Sequence, residues 1–157
     1  MNALMALAVS IGVLIALWVK FGGLLIPGLA IAVPAGIVAW ACFFAAGGKV
    51  QGLQKAIAAN LSGVIWVWLA LAMVGATGLA NLAFLFVGVA AFLIVMQSKI
   101  ALLSFIPGGF CGAAITAASG ASDPKGYLLV ALSLVAGAVL GYVSELGGGV
   151  LAKKPTA

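Results

Sequence analysis

Few side chains in this sequence can do acid–base, nucleophilic or ligand chemistry: Asp123, Glu145, Cys42, Cys111 and seven lysines, with no histidine and no arginine. Lack of histidine removes the usual neutral-pH base and the commonest metal ligand. Asp123 falls in a polar turn and Glu145 near the end of an apolar run, on opposite membrane surfaces in the topology below, so they do not form an acid–base pair. Cys42 and Cys111 lie within apolar segments, where a cysteine packs as a small hydrophobe, and two thiols without histidine do not make a zinc site. No enzyme activity, cofactor or metal is expected from this inventory.

What remains is the chemistry of hydroxyls, amides and freed backbone carbonyls. The stretch Ser104-Phe105-Ile106-Pro107-Gly108-Gly109 sits in an apolar run, and Pro34 with Gly36 sits in another. Proline removes a backbone donor and clashes with the preceding turn, so both runs are expected to be kinked or broken near mid-membrane. Carbonyls freed in hydrocarbon need partners, and the breaks must face other helices, water or a solute. The residues expected to line a path or bind a substrate are Pro34, Gly36, Asn60, Ser62, Ser104, Pro107, Gly108, Gly109, Gly112 and Thr116. The prolines would expose carbonyls, the glycines would keep the passage open, and the amide and hydroxyls would supply polar contacts. Structural uses compete with these roles. Small residues at four-residue spacing, such as Ser133, Gly137 and Gly141, are ordinary helix-packing faces. Buried serine and threonine often bond to the carbonyl one turn back.

The elements that must position these residues are membrane helices. The chain is 66% hydrophobic and 6% charged, with mean hydropathy +1.39, leaving too little polar surface for a soluble globule. Spans are expected over residues 3–19, 24–46, 61–75, 80–96, 100–118 and 126–146, giving an all-α protein with six transmembrane helices. The second and fifth would be broken by proline. Residues 49–60 read as a loop or surface-lying turn, and 148–157 as a flexible tail, within one integral membrane domain covering 1–157. Trp18, Trp40, Trp66 and Trp68 read as interfacial anchors.

Lysines set the orientation. The net charge of +5 is scattered one or two lysines to a loop, which excludes a nucleic-acid surface and serves as a topology signal. Six spans place Lys49, Lys55, Lys99, Lys153 and Lys154 on the side of both termini, against Lys20 and Lys125 opposite, so both termini are expected in the cytoplasm. Laying Pro34 on Pro107 also lays Gly36 on Gly109 and Asn60 on Ser133, so that the half-repeats 1–75 and 80–147 contain three spans each. An odd number of spans per repeat gives two inverted halves.

The residues Pro34-Ala35-Gly36, Gly47-Gly48, Asn60-Leu61-Ser62-Gly63, Gln97-Ser98-Lys99 and Ser104-Phe105-Ile106-Pro107-Gly108-Gly109 together resemble the YcdZ-like bacterial inner-membrane proteins, a family defined as a domain of unknown function. The resemblance spans nearly the whole chain. It implies a small multi-pass protein of the bacterial inner membrane and no particular substrate. The expected function is a channel or facilitator for a small neutral or weakly polar solute, with the bilayer, the solute and further copies of the chain as partners. A secondary transporter coupled to an ion gradient and a non-transporting scaffold or accessory subunit are the alternatives.

Overall fold

The computed structural model describes residues 1–28 and 30–152, and among them the chain forms α-helices, short 3-10 turns and no strand. The helices are α1 (Ala3–Leu25), α2 (Ala32–Ala45), α3 (Lys49–Thr77), α4 (Ala83–Met96), α5 (Ile106–Ser119) and α6 (Pro124–Leu151). Four segments, Ala3–Leu25, Lys49–Thr77, Ala80–Lys99 and Pro124–Leu151, are long and apolar enough to cross a membrane. With 14 residues each, α2 and α5 are about 21 Å long at 1.5 Å per residue, less than a hydrocarbon core of about 30 Å.

The helix ends correct several sequence expectations. Pro34 and Pro107 do not interrupt long helices. Each lies in the first turn of a short one, where the missing N–H leaves no intrahelical bond unmade. The backbone outside α-helix precedes them, at residues 26–28, 30, 31 and 97–105. Residues 49–60 are the first turns of a 29-residue α3. Gly52, Ala56 and Ala59 are buried on one side of these turns while Lys49, Gln51 and Gln54 face outward, so amphipathic packing carries the helix through the polar stretch. α6 likewise runs through Gly147 and Gly148 to Leu151. Those glycines lie against Ser10 and Leu7 of α1, and close packing holds residues 148–151 in helix instead of tail. Residues 153–157, with Lys153 and Lys154, lie outside the described residues.

Side-chain caps fix the starts of α1 and α6. The Asn2 Oδ1 accepts the Met5 N–H at 2.8 Å, and the Asp123 Oδ1 accepts the Gly126 N–H at 2.8 Å. The main pairings are α2 with α6, α3 with α5, α1 with α6 and α4 with α3. Gly36 meets Gly137 and Trp40 meets Ser144, so α2 and α6 run parallel; Gly108 meets Ala59 and Gly112 meets Gly63, so α3 and α5 do too. α1 is antiparallel to α6, and α4 to α3. The principal core, Ala35, Ala39, Val64, Val130, Leu134 and Ala138, lies where α2, α3 and α6 meet. Trp18 and Trp40 are interior residues, correcting their reading as interfacial anchors. Trp18 packs over Gly22 and Gly36 and donates its indole N–H to the Val33 carbonyl at 3.1 Å, and the Trp40 indole donates to the Ser144 Oγ at 3.1 Å.

Candidate functional site

Small residues determine how closely α3 and α5 approach. A Cβ on Gly63 would overlap the Gly109 carbonyl oxygen, and one on Gly112 would overlap the Asn60 carbonyl oxygen. The two backbones are therefore in direct contact, which only glycine at these positions allows. Gly108, Gly109 and Gly112 are buried in this contact, so they bring helices together and do not hold a passage open. Gly36 has the same use where α2 crosses α6.

Asn60 stands at this crossing, about 17 Å along α3 from Lys49 at 1.5 Å per residue. It is fully buried, and neither its Oδ1 nor its Nδ2 has a hydrogen-bond partner among the described residues. Buried hydroxyls on α3, α5 and α6 have partners. Thr116 donates to the Gly112 carbonyl at 2.7 Å, Ser133 to the Leu129 carbonyl at 2.8 Å and Ser144 to the Gly141 carbonyl at 2.6 Å. Ser62 donates to the Ala59 carbonyl at 2.7 Å and accepts from the Gln97 Nε2 at 2.8 Å, while the Gln97 Oε1 accepts the Trp66 indole N–H at 2.8 Å. This chain ties the irregular segment after α4 to the middle of α3.

Of the residues expected to form a site, Asn60, Ser62, Gly108, Gly109, Gly112 and Thr116 come together at the α3–α5 packing face, with Gly36 at the separate α2–α6 crossing. Pro34, Pro107 and Ser104 are exposed on the outside of the chain. The two proline rings do not line an interior, because the first turn of a short helix leaves them at its outer edge. Sequence reasoning missed Gln97 and its bond to Trp66, whereas Cys42 and Cys111 pack in an apolar cluster as small hydrophobes. Cys42 is buried in a cluster with Phe43 and Ala56, and Cys111 packs against that cluster. A lone polar residue flanking an apolar run gives no signal of its partner until the helices are packed.

Two further features bound the chemistry. The Glu145 Oε2 accepts the Lys49 backbone N–H at 2.7 Å, so this carboxylate caps the N-terminus of α3. A groove of about 380 Å³ between α3, α4 and α5, lined by Val67, Ala70, Val87, Ala91, Phe110 and Ala113 among others, carries only apolar side chains.

An all-helical fold with long apolar helices and a polar cluster packed among them defines a multi-pass membrane protein. The chain belongs to the family described as "Protein of unknown function (DUF1097)", which matches residues 8–149. It is 34% identical to "Uncharacterized protein YahC" of Escherichia coli K12, over 99% of this chain and 97% of that protein. It is 35% identical to "Inner membrane protein YcdZ" of the same organism, over 94% of this chain and 87% of the relative. The Salmonella typhimurium LT2 protein of that name is 33% identical, over 94% and 89%. No solved structure matches the chain. The resemblance to YcdZ-like proteins drawn from the motifs is thus correct, and these names place two relatives in the inner membrane.

Proposed function

We propose that this protein is a non-enzymatic facilitator of the bacterial inner membrane that passes a small neutral or weakly polar solute. The observation that carries the reading is Asn60, fully buried with both amide atoms unpartnered. An unsatisfied buried amide costs about 1–3 kcal/mol, and such a cost is retained where a transient partner uses the group. The amide offers a donor and an acceptor without charge, which suits an uncharged solute. Engagement of Glu145 with the start of α3 argues against its use as a coupling carboxylate, so the ion-coupled transporter is the weaker reading.

Six crossings arranged as two inverted halves accompany this proposal. Under the offset laying Pro34 on Pro107, the packing of α1 on α6 corresponds to that of α4 on α3, and α2 on α6 to α5 on α3. Gly36 corresponds to Gly109, and each makes a backbone-close crossing. The residues that precede the short α2 and α5, among them 30 and 31 and the segment 97–105, would extend them towards a full crossing. Lys49 and Lys55, in the first turns of α3, lie towards the end of the molecule that holds the N-terminus of α1, supporting a cytoplasmic placement of that end. On α4, Phe84, Val87 and Phe92 face outward, a surface suited to lipid or to a second copy in a homo-oligomer.

The test is stopped-flow solute flux in proteoliposomes with urea and glycerol as probes. The wild-type chain should exceed empty vesicles, and Asn60→Leu should fall to their level while eluting unchanged on size-exclusion chromatography. Wild-type flux equal to that of empty vesicles, or flux untouched by Asn60→Leu, would overturn the reading. Flux that requires an imposed ion gradient would transfer it to the coupled transporter.

A further inference from the structure

We propose that the groove between α3, α4 and α5 holds one acyl chain of an anionic phospholipid whose phosphate pairs with Lys99. Two helix trios of like packing carry different side chains at matched positions. Under the offset that lays Pro34 on Pro107, Trp18, Trp40 and Phe44 fall on Ala91, Ala113 and Ala117. In the trio of α1, α2 and α6, Trp18 and Trp40 are buried with their indole N–H groups bonded inside the protein, and Phe44 is half-buried. In the trio of α3, α4 and α5, the three alanines line a space of about 380 Å³. They leave open the volume that the rings take up in the other trio.

Shape and access select the occupant. From Ala83 to Ile94 the groove follows α4 for about 16 Å at 1.5 Å per residue. Its volume spread over that length gives a cross-section of roughly 24 Å², far below the ~80 Å² of a helix about 10 Å across. A helix of a second copy is therefore too thick to enter, whereas a single file of methylenes, held at about 3.5–4.0 Å from neighbouring carbons, fits. Leu71, Val87 and Phe110 on the lining are exposed, so the groove opens sideways to the bilayer and a lipid enters without crossing water. An apolar lining offers nothing to orient a polar solute.

Charge decides which lipid it is and which way it lies. Between Lys55 and Lys99 the sequence has no charged residue, so the end of the groove near Thr77 and Ala83 has no ion on α3 or α4. The other end does. Past Ile94, α4 passes into the turn Gln97–Lys99; Ile94 and Gln97 both lie over Gly109, and the exposed Lys99 follows two residues later. By helical rise Lys99 stands about 9 Å beyond Ile94, at the mouth of the groove. A lysine there attracts an anionic headgroup, and seven lysines against two acidic residues in the chain favour the same sign.

The experiment is native mass spectrometry of the full chain in detergent, after incubation with phosphatidylglycerol or phosphatidylcholine of matched acyl chains. The wild type should keep ~1 phosphatidylglycerol per chain, one occupant for one groove, and less phosphatidylcholine. Ala91→Trp, which supplies the ring found at the matched position, should release the lipid while eluting unchanged on size-exclusion chromatography. Should that variant fail to fold, Ala117→Phe tests the same point. Leu85→Trp, the same ring added at an exposed position of α4 outside the groove, should keep the lipid. Lys99→Gln should weaken phosphatidylglycerol retention about 5-fold, the share of one lysine at an anionic surface, and leave phosphatidylcholine unchanged. A wild type without lipid, retention untouched by Ala91→Trp and Ala117→Phe, or an equal hold on the two lipids would overturn the proposal. So would a lipid-free wild-type dimer that Ala91→Trp splits into monomers, since a second copy would then occupy the groove. Retention is read without solute flux and stands or falls separately from transport.

Discussion

The Glu145 carboxylate and the Lys49 backbone N–H, 96 residues apart in the chain, meet at 2.7 Å. The chain turns sharply through Gly47 and Gly48, both at positive φ, and Lys49 itself has φ of 56°. This turn presents the first N–H of α3 to a carboxylate on α6. The contact joins the start of one long helix to the last turns of another and couples negative charge to a helix N-terminus. Glu145→Ala should therefore lower stability by about 1 kcal/mol, and Glu145→Gln, which keeps an acceptor, by less. Thermal unfolding in detergent checks the order of the two; equal melting temperatures for wild type and Glu145→Ala would contradict it.

Glycines on α3 should split sharply by location. Gly63→Ala forces a methyl group into the Gly109 carbonyl, whereas a Cβ on Gly75 meets nothing within 4 Å. The first should destabilise by about 2–4 kcal/mol, in the range of severe overpacking. Gly75→Ala should stabilise by up to ~1 kcal/mol through helix propensity. Chemical denaturation of both variants under one condition reads the difference.

Asn60 offers a test that separates function from folding. Replacing its unpartnered amide with leucine removes the desolvation cost of both polar atoms, so Asn60→Leu should be as stable as wild type or more stable by about 1–2 kcal/mol. A stabilised variant with lost flux is the pattern of a residue kept for its chemistry. Marked destabilisation would instead assign Asn60 to the architecture.

The apolar groove between α3, α4 and α5 should accept added volume. Ala91→Leu places three more carbons against a space of about 380 Å³ and should raise stability by about 0.5–2 kcal/mol, the usual yield of filling a gap. A fall in melting temperature would show that α4 sits closer to its neighbours than the groove implies.

Composition and run length were enough to mark the chain as apolar helices, because each must cover its backbone with apolar side chains whatever its neighbours are, but they did not show that only four segments are long enough to cross a membrane. The helix ends were less legible. Pro34 and Pro107 both read as interruptions, yet each begins a helix, since a proline within an apolar run looks the same whether the helix starts before it or after it. Gly147 and Gly148 read as the start of a tail and are instead the surface on which α1 lies. Glycine promotes both outcomes, and only a packed neighbour selects between them.

The site divides along the same line. Asn60, Ser62, Gly109 and Gly112 were evident from their types, as polar or small residues within hydrophobic runs must face protein in a bilayer. The link from Ser62 to Gln97 and Trp66 was not, because it joins α3 to the segment after α4 across more than thirty residues. The sequence by itself determined that the chain lives in a membrane as helices and which family it belongs to, since both follow from local composition and motif. Which buried polar atoms are satisfied, and that Asn60 alone among these side chains is left with neither amide atom paired, was decided by the tertiary structure, because hydrogen bonding depends on the distance and angle between helices.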